Sequence, residues 1–310
     1  MLDLHPLPRR TVLAGAALPL LAGCRDRASQ HRLVRIATGS PTAVYYIVGT
    51  ALAGLIGRRL PGTDAHVLVT AASAENIQLI ATTRAELGFS QADVLVRGSA
   101  QAPVALARIY DDLLHLVVRA DGPVRTLKDL KGRRVSVGGR GSGTGITVER
   151  LLAVARMSGA GFVDRRELGL DDSLWALARK GIDAFFFSGG LPVTGIARLA
   201  AEAPIRVVDL SSWAGDLRRA YSEVYVVRDV PASAYRLPAV ATIAVPNLLV
   251  ASASMPEDLG YDLTRLLMEG RDVLAAAHPA AERLDIRSAI ATMPVPLHPG
   301  AARYYRSVKP

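Results

Sequence analysis

Apolar and polar positions along the first part of the chain predict strands and helices in turn. Short apolar runs at residues 33–38, 66–70 and 86–90 are typical of buried strands. Longer apolar segments at residues 44–58 and 74–82 are typical of the helices that connect them. Regular alternation with short connections favours a parallel or mixed sheet flanked by helices, so we predict an α/β fold.

A second block of the same kind follows. Residues 113–119 predict one more strand, and Asp121-Gly122-Pro123 marks a break after it. Beyond the break, strands are predicted at residues 134–137, 162–168, 182–187, 205–210, 240–245 and 248–252, and helices at residues 126–130, 144–156, 173–179, 193–201 and 256–268. Two blocks of like architecture with a C-terminal return predict two lobes.

The N-terminus has the features of a bacterial export signal in the required order. Arg9-Arg10 precedes an apolar stretch that ends in Leu21-Ala22-Gly23-Cys24 and is shorter than the about 20 residues needed to span a bilayer. Because this ending resembles a lipobox, we predict a signal peptide over residues 1–23, lipid attachment at Cys24 and a polar tether over residues 24–32. A buried N-terminal helix with an incidental cysteine is the alternative, and export by either the Sec or the twin-arginine route stays open.

Composition and charge narrow the class of protein. The chain has 310 residues, of which 50% are hydrophobic and 21% charged, which suits about two globular domains. The net charge is +9, but the basic pairs at residues 133–134, 165–166 and 218–219 lie far apart without an aromatic stripe, so no nucleic-acid partner is predicted. Later apolar runs are short or interrupted, so we expect an extracytoplasmic, periplasmic protein that meets the membrane only through its lipid anchor.

Several kinds of chemistry find no motif in the sequence. Cys24 is the sole cysteine, and the six histidines show no metal-ligand spacing. Residues 138–145 contain neither a complete dinucleotide-binding motif nor a Walker A motif. Residues 88–92 end in alanine where a nucleophile elbow requires glycine. The sequence therefore predicts no enzyme, no cofactor and no metal site.

Three loops share one design, in which a strand end is followed by glycine and hydroxyl residues and then by a helix. They are Thr38-Gly39-Ser40, Gly141-Ser142-Gly143-Thr144 and Ser188-Gly189-Gly190-Leu191-Pro192. Helix N-termini attract carboxylate or phosphate groups, and glycine lets the backbone approach a ligand closely. A single such loop is better explained by ordinary helix capping. Three of them predict a small anionic ligand held between the lobes.

At these loops the sequence resembles the TAXI family of solute-binding receptors, which serve TRAP transporters. The resemblance spans residues 33–308. It is carried by Ile36-Ala37-Thr38-Gly39-Ser40 with Tyr45-Tyr46 and Gly49, by residues 130–138 leading into Gly141-Ser142-Gly143-Thr144, by residues 183–192, and by Pro296-Leu297-His298-Pro299-Gly300-Ala301 with Tyr304-Tyr305.

The resemblance implies a periplasmic-binding-protein fold of the second type, with a ligand cleft between two lobes. One lobe then comprises residues 33–120 and 223–310, and the other residues 121–222. The ligand is expected to be an amino acid, a dicarboxylate or a keto acid, delivered to a TRAP-type membrane permease that an ion gradient drives. A receptor that reports its ligand to a sensor protein is the alternative, since the same cleft serves both roles.

The resemblance also implies which residues line the cleft. The matching positions are Ser40, Tyr45, Tyr46, Ser73, Asn76, Gln91, Asp93, Ser142, Gly143, Thr144, Phe187, Gly189 and Gly190, and the loops add Thr38, Gly39 and Ser188. We expect one of the two tyrosines to face the cleft and the other the core. Asp93 is expected either to orient a ligand ammonium or donor group or to cap a helix, and His298 to be a structural turn residue.

Two departures from the family pattern fall beside the expected cleft. Pro41-Thr42-Ala43 replaces a glycine-rich run, and Ala72 stands where glycine is common. Both add bulk or stiffness to the backbone there. Glutamate itself is therefore not assumed to be the ligand.

Overall fold

Ten strands pair into one mixed sheet in a computed structural model that describes Met1 and residues 32–95, 102–159 and 161–308. The strands are β1 (Arg32–Ala37), β2 (Thr63–Leu68), β3 (Leu87–Gln91), β4 (Val104–Arg119), β5 (Arg134–Ser136), β6 (Asp164–Arg166), β7 (Ala184–Gly189), β8 (Ile205–Val207), β9 (Val226–Val230) and β10 (Val240–Ala251). The rest of the predicted signal peptide, Cys24 and the tether up to residue 31 lie outside the described residues.

Helices cover the sheet. They are α1 (Val44–Arg59), α2 (Ser73–Ala81), α3 (Gly143–Val154), α4 (Leu170–Ala178), α5 (Thr194–Glu202), α6 (Ala214–Ala220), α7 (Ala232–Tyr235), α8 (Glu257–Glu269), α9 (Arg271–Ala277), α10 (Ile286–Ala289) and α11 (Pro299–Ser307). Across the part of the chain that the structure describes, none of them is long and apolar enough to cross a bilayer.

The strand order is β2-β1-β3-β10-β4-β7-β5-β6, with β8 beside β4 and β9 beside β10. Strands β1–β3 are mutually parallel and form what we call the first half-sheet, and β5–β7 are parallel and form the second half-sheet. Each half-sheet is built from strand–helix units, so its helices begin after the carboxyl ends of its strands. The predicted α/β architecture follows directly from this alternation.

Two long strands join the half-sheets. Strand β4 pairs antiparallel with β10 along residues 104–113 and with β7 along residues 113–118. Strand β10 in turn pairs antiparallel with β3 along residues 247–251. The two predicted lobes thus share one continuous sheet, and their exact boundaries remain a prediction.

Both long strands are longer than the sequence pattern predicts. Strand β4 begins nine residues before the predicted start, at Val104, because Arg108, Asp111 and Asp112 interrupt its apolar pattern. The two strands predicted at residues 240–245 and 248–252 are one strand, β10, which runs through Pro246. Proline lacks the amide that donates to a neighbouring strand, and the register between β10 and β4 shifts just after it.

Apolar packing holds the helices at fixed positions on the sheet. Leu52 and Ile56 of α1 are almost fully buried in a cluster with Ile36 and Phe89 of the first half-sheet. The ring of Tyr45, at the start of α1, stacks on Phe89 with centroids 5.2 Å apart. Burial of each such side chain contributes about 1.5–3 kcal/mol, so the N-terminus of α1 is firmly located at the sheet edge.

Candidate functional site

The N-termini of five helices converge on one cavity of about 260 Å³. The residue that precedes the first turn of α1, α2, α3, α4 and α5 lines this cavity in each case; these residues are Ala43, Ala72, Ser142, Gly169 and Val193. The first amides of a helix have no acceptor within the helix and lie at the positive end of its dipole. The cavity wall is therefore rich in N–H donors contributed by both half-sheets.

Most of the residues predicted for the cleft line this cavity. They are Gly39, Ser40, Tyr45, Ser73, Gln91, Ser142, Gly143, Thr144, Phe187, Ser188 and Gly189. Thr38, Tyr46, Asn76, Asp93 and Gly190 lie outside its lining. All three loops singled out by their sequence thus reach the same cavity, although they are far apart in the chain.

Two of the residues outside the lining support the first loop from behind. The side-chain amide of Asn76 donates to the carbonyl oxygens of Thr38 at 2.7 Å and Phe89 at 2.8 Å. The hydroxyl of Thr70 donates to Asn76 Oδ1 at 2.6 Å, and its oxygen lies 3.0 Å from the Thr38 carbonyl oxygen. Because Asn76 and Thr38 are fully buried, these bonds fix the path of the loop that carries Gly39 and Ser40.

Asp93 belongs to a network behind α3. Its Oδ2 accepts hydrogen bonds from Thr147 Oγ1 at 2.7 Å and from Tyr225 Oη at 2.9 Å, and the Arg150 guanidinium lies 3.6 Å away. Burial raises the pKa of Asp93, although these partners oppose the shift. Asp93 therefore ties the turn after β3 to α3 and does not reach the cavity.

The other residues outside the lining are explained by packing. A β-carbon on Gly190 would come within 2.8 Å of Ala280 and 3.0 Å of the Tyr110 ring, so this glycine permits close packing. Tyr46 is half-buried, whereas Tyr45 is buried and lines the cavity. His298, as expected, has a structural role, because its Nδ1 caps α11 by accepting from Gly300 N at 3.1 Å.

A buried amide connects the two half-sheets at the floor of the cavity. Gln91 Nε2 donates to Asp112 Oδ2 at 3.0 Å and to Ser188 Oγ at 2.5 Å. Within the described residues its Oε1 has no hydrogen-bond partner, although Gln91 is only 2% exposed. An unpaired buried acceptor is costly, so this oxygen is expected to gain a donor in the functional state.

Asp112 is the main site residue that sequence reasoning missed. It lies on β4, lines the cavity and is 4% exposed. Burial raises its pKa to about 7, with smaller upward effects from Asp111 and Asp93, while the hydrogen bond from Gln91 opposes the shift. The available signal was a pair of acidic residues, Asp111-Asp112, immediately before an apolar strand.

Two tyrosine hydroxyls lie near Asp112. The Tyr110 hydroxyl has no partner among the described residues, and its side chain is 3% exposed and lines the cavity. The Tyr45 hydroxyl donates to Asn247 Oδ1 and lies 3.3 Å from Ser73 Oγ. Burial raises the pKa of both tyrosines well above the usual value, so both are neutral donors and acceptors.

A second hydrogen-bonded chain positions the start of α5. Val193 N donates to Tyr235 Oη at 3.1 Å, and Tyr235 Oη lies 2.9 Å from His115 Nε2. His115 Nδ1 lies 3.2 Å from the Phe187 carbonyl oxygen and donates to it, so Nε2 accepts from the tyrosine. Burial lowers the pKa of His115 to about 4 and keeps the ring neutral.

The remaining lining residues were not singled out as ligand contacts by their sequence. They are Thr42, Ala43, Val44, Thr70, Ala71, Ala72, Tyr110, Asp112, Gly138, Gly139, Leu168, Gly169, Pro192, Val193, Thr194 and His278. The two departures from the family pattern are among them, since Thr42, Ala43 and Ala72 all line the cavity. No lysine or arginine belongs to the lining in the described part of the chain.

Comparisons with known proteins match this architecture. A model described as the NMT1-like family matches residues 36–308. The aliphatic sulphonate binding protein SsuA from Escherichia coli is 16% identical, with a TM-score of 0.52 over 90% of this chain and 84% of that one. A putative L-cystine ABC transporter protein from Listeria monocytogenes is 14% identical, with a TM-score of 0.51 over 79% of this chain and 94% of that one.

A regulatory domain has the same fold. That of CcmR from Synechocystis, in complex with 2-PG, is 16% identical, with a TM-score of 0.51 over 79% of this chain and 97% of that one. At such identities the likeness concerns the fold alone. The predicted fold of periplasmic binding proteins, an α/β sheet flanked by helices, is confirmed.

Proposed function

The chain belongs to the NMT1-like family, and from this premise we propose that it is an extracytoplasmic solute-binding receptor for a small carboxylate. The convergence of five helix N-termini on one cavity carries the proposal. Each N-terminus stabilises an anion by about 0.3–1 kcal/mol, and by up to about 2 kcal/mol when partly buried. Together they provide a binding site for a carboxylate that needs no charged side chain.

The position of the cavity suits capture and release. Gln91 of the first half-sheet reaches Ser188 of the second, and Gly143 of α3 lies against the same side chain. A ligand in the cavity therefore contacts elements from both half-sheets. Such a ligand stabilises the arrangement in which they meet, and its loss favours opening of the hinge formed by β4 and β10.

The transport partner follows from the resemblance to TAXI receptors. We propose delivery of the ligand to a TRAP-type permease, whose uptake depends on an ion gradient. In cells that carry the receptor and its permease, uptake of the identified ligand should stop when a sodium ionophore is added and continue when ATP is depleted. Uptake that stops on ATP depletion and continues with the ionophore would assign the receptor to an ABC transporter instead.

Lipid anchoring is proposed from the sequence of the N-terminus. The wild-type chain should incorporate radiolabelled palmitate and sediment with membranes. Cys24→Ser should abolish both, whereas a serine replacement elsewhere in the tether, such as Ala28→Ser, should abolish neither. Equal labelling of Cys24→Ser and wild type would refute the anchor without affecting the ligand site.

A sensory receptor is the second candidate function. The likeness in fold to the CcmR regulatory domain favours it, because that regulatory domain is in complex with a small molecule, 2-PG. Deletion of the receptor separates the two functions. Loss of ligand uptake supports transport, whereas unchanged uptake with a lost transcriptional or kinase response supports sensing.

A thermal-shift screen tests the proposed ligand class. It should contain amino acids, dicarboxylates, keto acids and sulfonates, together with uncharged analogues of each. A true ligand at about 100 times its Kd stabilises the folded state by about 2.7 kcal/mol. Stabilisation by uncharged compounds alone would contradict a carboxylate site at the helix N-termini.

Thr144→Ala provides the companion test. The Thr144 side chain lines the cavity, and its hydroxyl accepts from Ser188 N at 3.0 Å. Its loss should weaken binding of the carboxylate found in the screen by about tenfold, equal to about 1.4 kcal/mol. Thr82→Ala is the matched control. Thr82 follows the C-terminal end of α2, away from the end that lines the cavity, so its replacement should leave affinity unchanged.

A further inference from the structure

The floor of the cavity has the chemistry opposite to that of its helix-lined wall. Asp112 supplies a carboxyl group, Gln91 Oε1 is an unpaired carbonyl-type acceptor and Tyr110 Oη has no partner among the described residues. Gln91 and Tyr110 are more than nine-tenths buried, with exposures of 2% and 3%. Buried polar atoms of this kind are normally satisfied in the functional state, so their partner is expected to be the ligand.

We propose that the ligand is a zwitterionic amino acid with an apolar side chain, whose ammonium group binds Asp112, Gln91 Oε1 and Tyr110 Oη. Its carboxylate lies at the helix N-termini that line the same cavity. This proposal rests on the carboxylate-binding function proposed above and specifies the substrate class of the same site.

The kinds of acceptor at the floor suit an ammonium group. It has three N–H donors, and the floor offers a carboxylate oxygen, an amide oxygen and a hydroxyl oxygen as acceptors. The Gln91 side-chain amide already donates its N–H groups to Asp112 and Ser188, which leaves Oε1 as an acceptor only. The second carboxylate of a dicarboxylate would face these acceptors and be repelled.

The charge balance leads to the same conclusion. An ionised Asp112 without a cation is strongly disfavoured in this buried setting, as the upward shift of its pKa shows. No lysine or arginine belongs to the cavity lining in the described residues, and burial lowers the pKa of His278. A ligand ammonium therefore supplies the positive charge that the protein does not place beside Asp112.

The rest of the wall sets the side-chain preference. Val44, Leu168, Phe187 and Val193 give the cavity apolar lining in addition to its polar floor and helix N-termini. An apolar ligand side chain gains about 25 cal/mol per Å² buried against them. A charged side chain would lose its hydration there without meeting a partner.

Calorimetry with matched ligand pairs tests the proposal on the wild-type mature chain. L-leucine, L-valine and L-methionine are compared with their 2-oxo acids, with L-glutamate and with 2-oxoglutarate. We expect at least one of the three amino acids to bind at least about 100-fold more tightly than its 2-oxo acid, because that acid leaves buried polar groups unpaired. A 2-oxo acid, glutamate or 2-oxoglutarate that binds as tightly as the best of these amino acids would overturn the proposal while leaving the carboxylate receptor intact.

A variant pair tests the assignment to Asp112. Asp112→Asn should reduce the affinity for the amino acid at least about 100-fold and leave that for its 2-oxo acid unchanged or raised. Asp111→Asn removes a charge one residue away on the same strand, where the carboxylate pairs with Arg108 and Arg228 outside the cavity, and should retain affinity. Circular dichroism and thermal melting confirm that each variant folds.

The outcomes separate this proposal from the proposed function. Equal loss in Asp111→Asn and Asp112→Asn, or unchanged amino-acid affinity in a folded Asp112→Asn, would overturn the ammonium site. Either result would still be compatible with a carboxylate receptor if any carboxylate bound. Failure of every carboxylate-containing compound to bind wild type would instead overturn the proposed function itself.

Discussion

Gln91 Oε1 lies 2.0 Å from the point that a β-carbon on Gly143 would occupy. The side chain of Gln91, at the end of β3 in the first half-sheet, thus packs directly against the backbone at the start of α3. Only glycine permits this approach, and a β-carbon would also come within 2.8 Å of Ser73 Oγ. The contact brings the cavity floor and the α3 N-terminus into one unit.

Gly143→Ala should therefore disturb both stability and binding. The added methyl group displaces the Gln91 side chain, whose bonds to Asp112 and Ser188 are then lost or stretched. We expect a loss of about 1–3 kcal/mol in the free energy of unfolding and at least tenfold weaker ligand binding. Chemical denaturation and calorimetry measure the two effects.

Gly145→Ala is the matched control in the same helix. Its β-carbon would meet its nearest atom at 3.5 Å, an ordinary contact, so stability should be retained or slightly increased. The double variant Gly143→Ala/Gln91→Ala should be less unstable than the sum of the single changes. Strict additivity would show that the Gln91 contact is not the cause.

Asp112 gives the protein a specific pH dependence. Its pKa is about 7 in the folded state, against about 3.9 when unfolded. Between these values the folded state binds one more proton, so the contribution of Asp112 to the free energy of unfolding falls as pH rises towards 7 and is constant above it. Asp112→Asn should remove this fall in the free energy of unfolding, which amounts to roughly 4 kcal/mol above pH 7.

The difference in the free energy of unfolding between Asp112→Asn and wild type, measured from pH 4 to 8, isolates this effect. It should grow with pH up to about 7 and then level off. The charged groups that act on Asp112 are Asp111 and Asp93, and neutral Tyr45 and Tyr110 lie beside them. A difference that does not vary with pH would show that Asp112 is ionised in the folded protein throughout this range.

The loops of the site could be predicted from the sequence because each has a local signal. Glycine and hydroxyl residues after a short apolar strand identify a strand-to-helix junction, and no knowledge of how the strands pair is needed. The loops at Ser40, Gly143 and Ser188 were found in this way, and all three line the cavity. In parallel half-sheets such junctions meet at one edge, so their convergence follows from the fold class.

The floor could not be predicted in the same way. Asp112 and Tyr110 lie within β4, where charged residues conceal the strand, and Asn247 lies within β10 beside Pro246. Asp112 and Tyr110 reach the cavity, and Asn247 reaches the Tyr45 hydroxyl, only because these two strands cross between the half-sheets. That crossing depends on pairings between residues more than 100 positions apart, such as Asn247 with Tyr110, which a single sequence does not reveal. Asp93, conversely, has the expected charge but faces α3.

Ala72 is held in a strained backbone conformation at the cavity edge. Its φ of 82° and ψ of −143° lie in a region that glycine occupies almost alone. Such strain costs about 1–3 kcal/mol, so Ala72→Gly should increase the free energy of unfolding by about 1 kcal/mol after its entropic cost. Ala71→Gly, the neighbouring control, should lower it by about 0.5–1 kcal/mol; a loss in both variants would refute the strain at Ala72.

Tyr235→Phe tests the chain that holds the start of α5. The change removes the acceptor of Val193 N and the donor to His115 Nε2, all of them buried, and should cost about 1–3 kcal/mol. Ligand affinity should fall as well, because Val193 and Thr194 line the cavity. Tyr46→Phe removes the same hydroxyl from a half-buried side chain outside the lining and should change neither quantity.

The pH dependence of the same chain provides an independent check. His115 has a pKa of about 4 when folded, against about 6.5 when unfolded, so the unfolded state binds one more proton between these values. Its contribution is present above pH 6.5 and is lost as pH falls towards 4, by up to roughly 3 kcal/mol. His115→Gln should flatten this part of the stability profile measured by urea denaturation. An identical acid-side slope in His115→Gln and wild type would mean that the buried imidazole accepts a proton without opening the fold around α5.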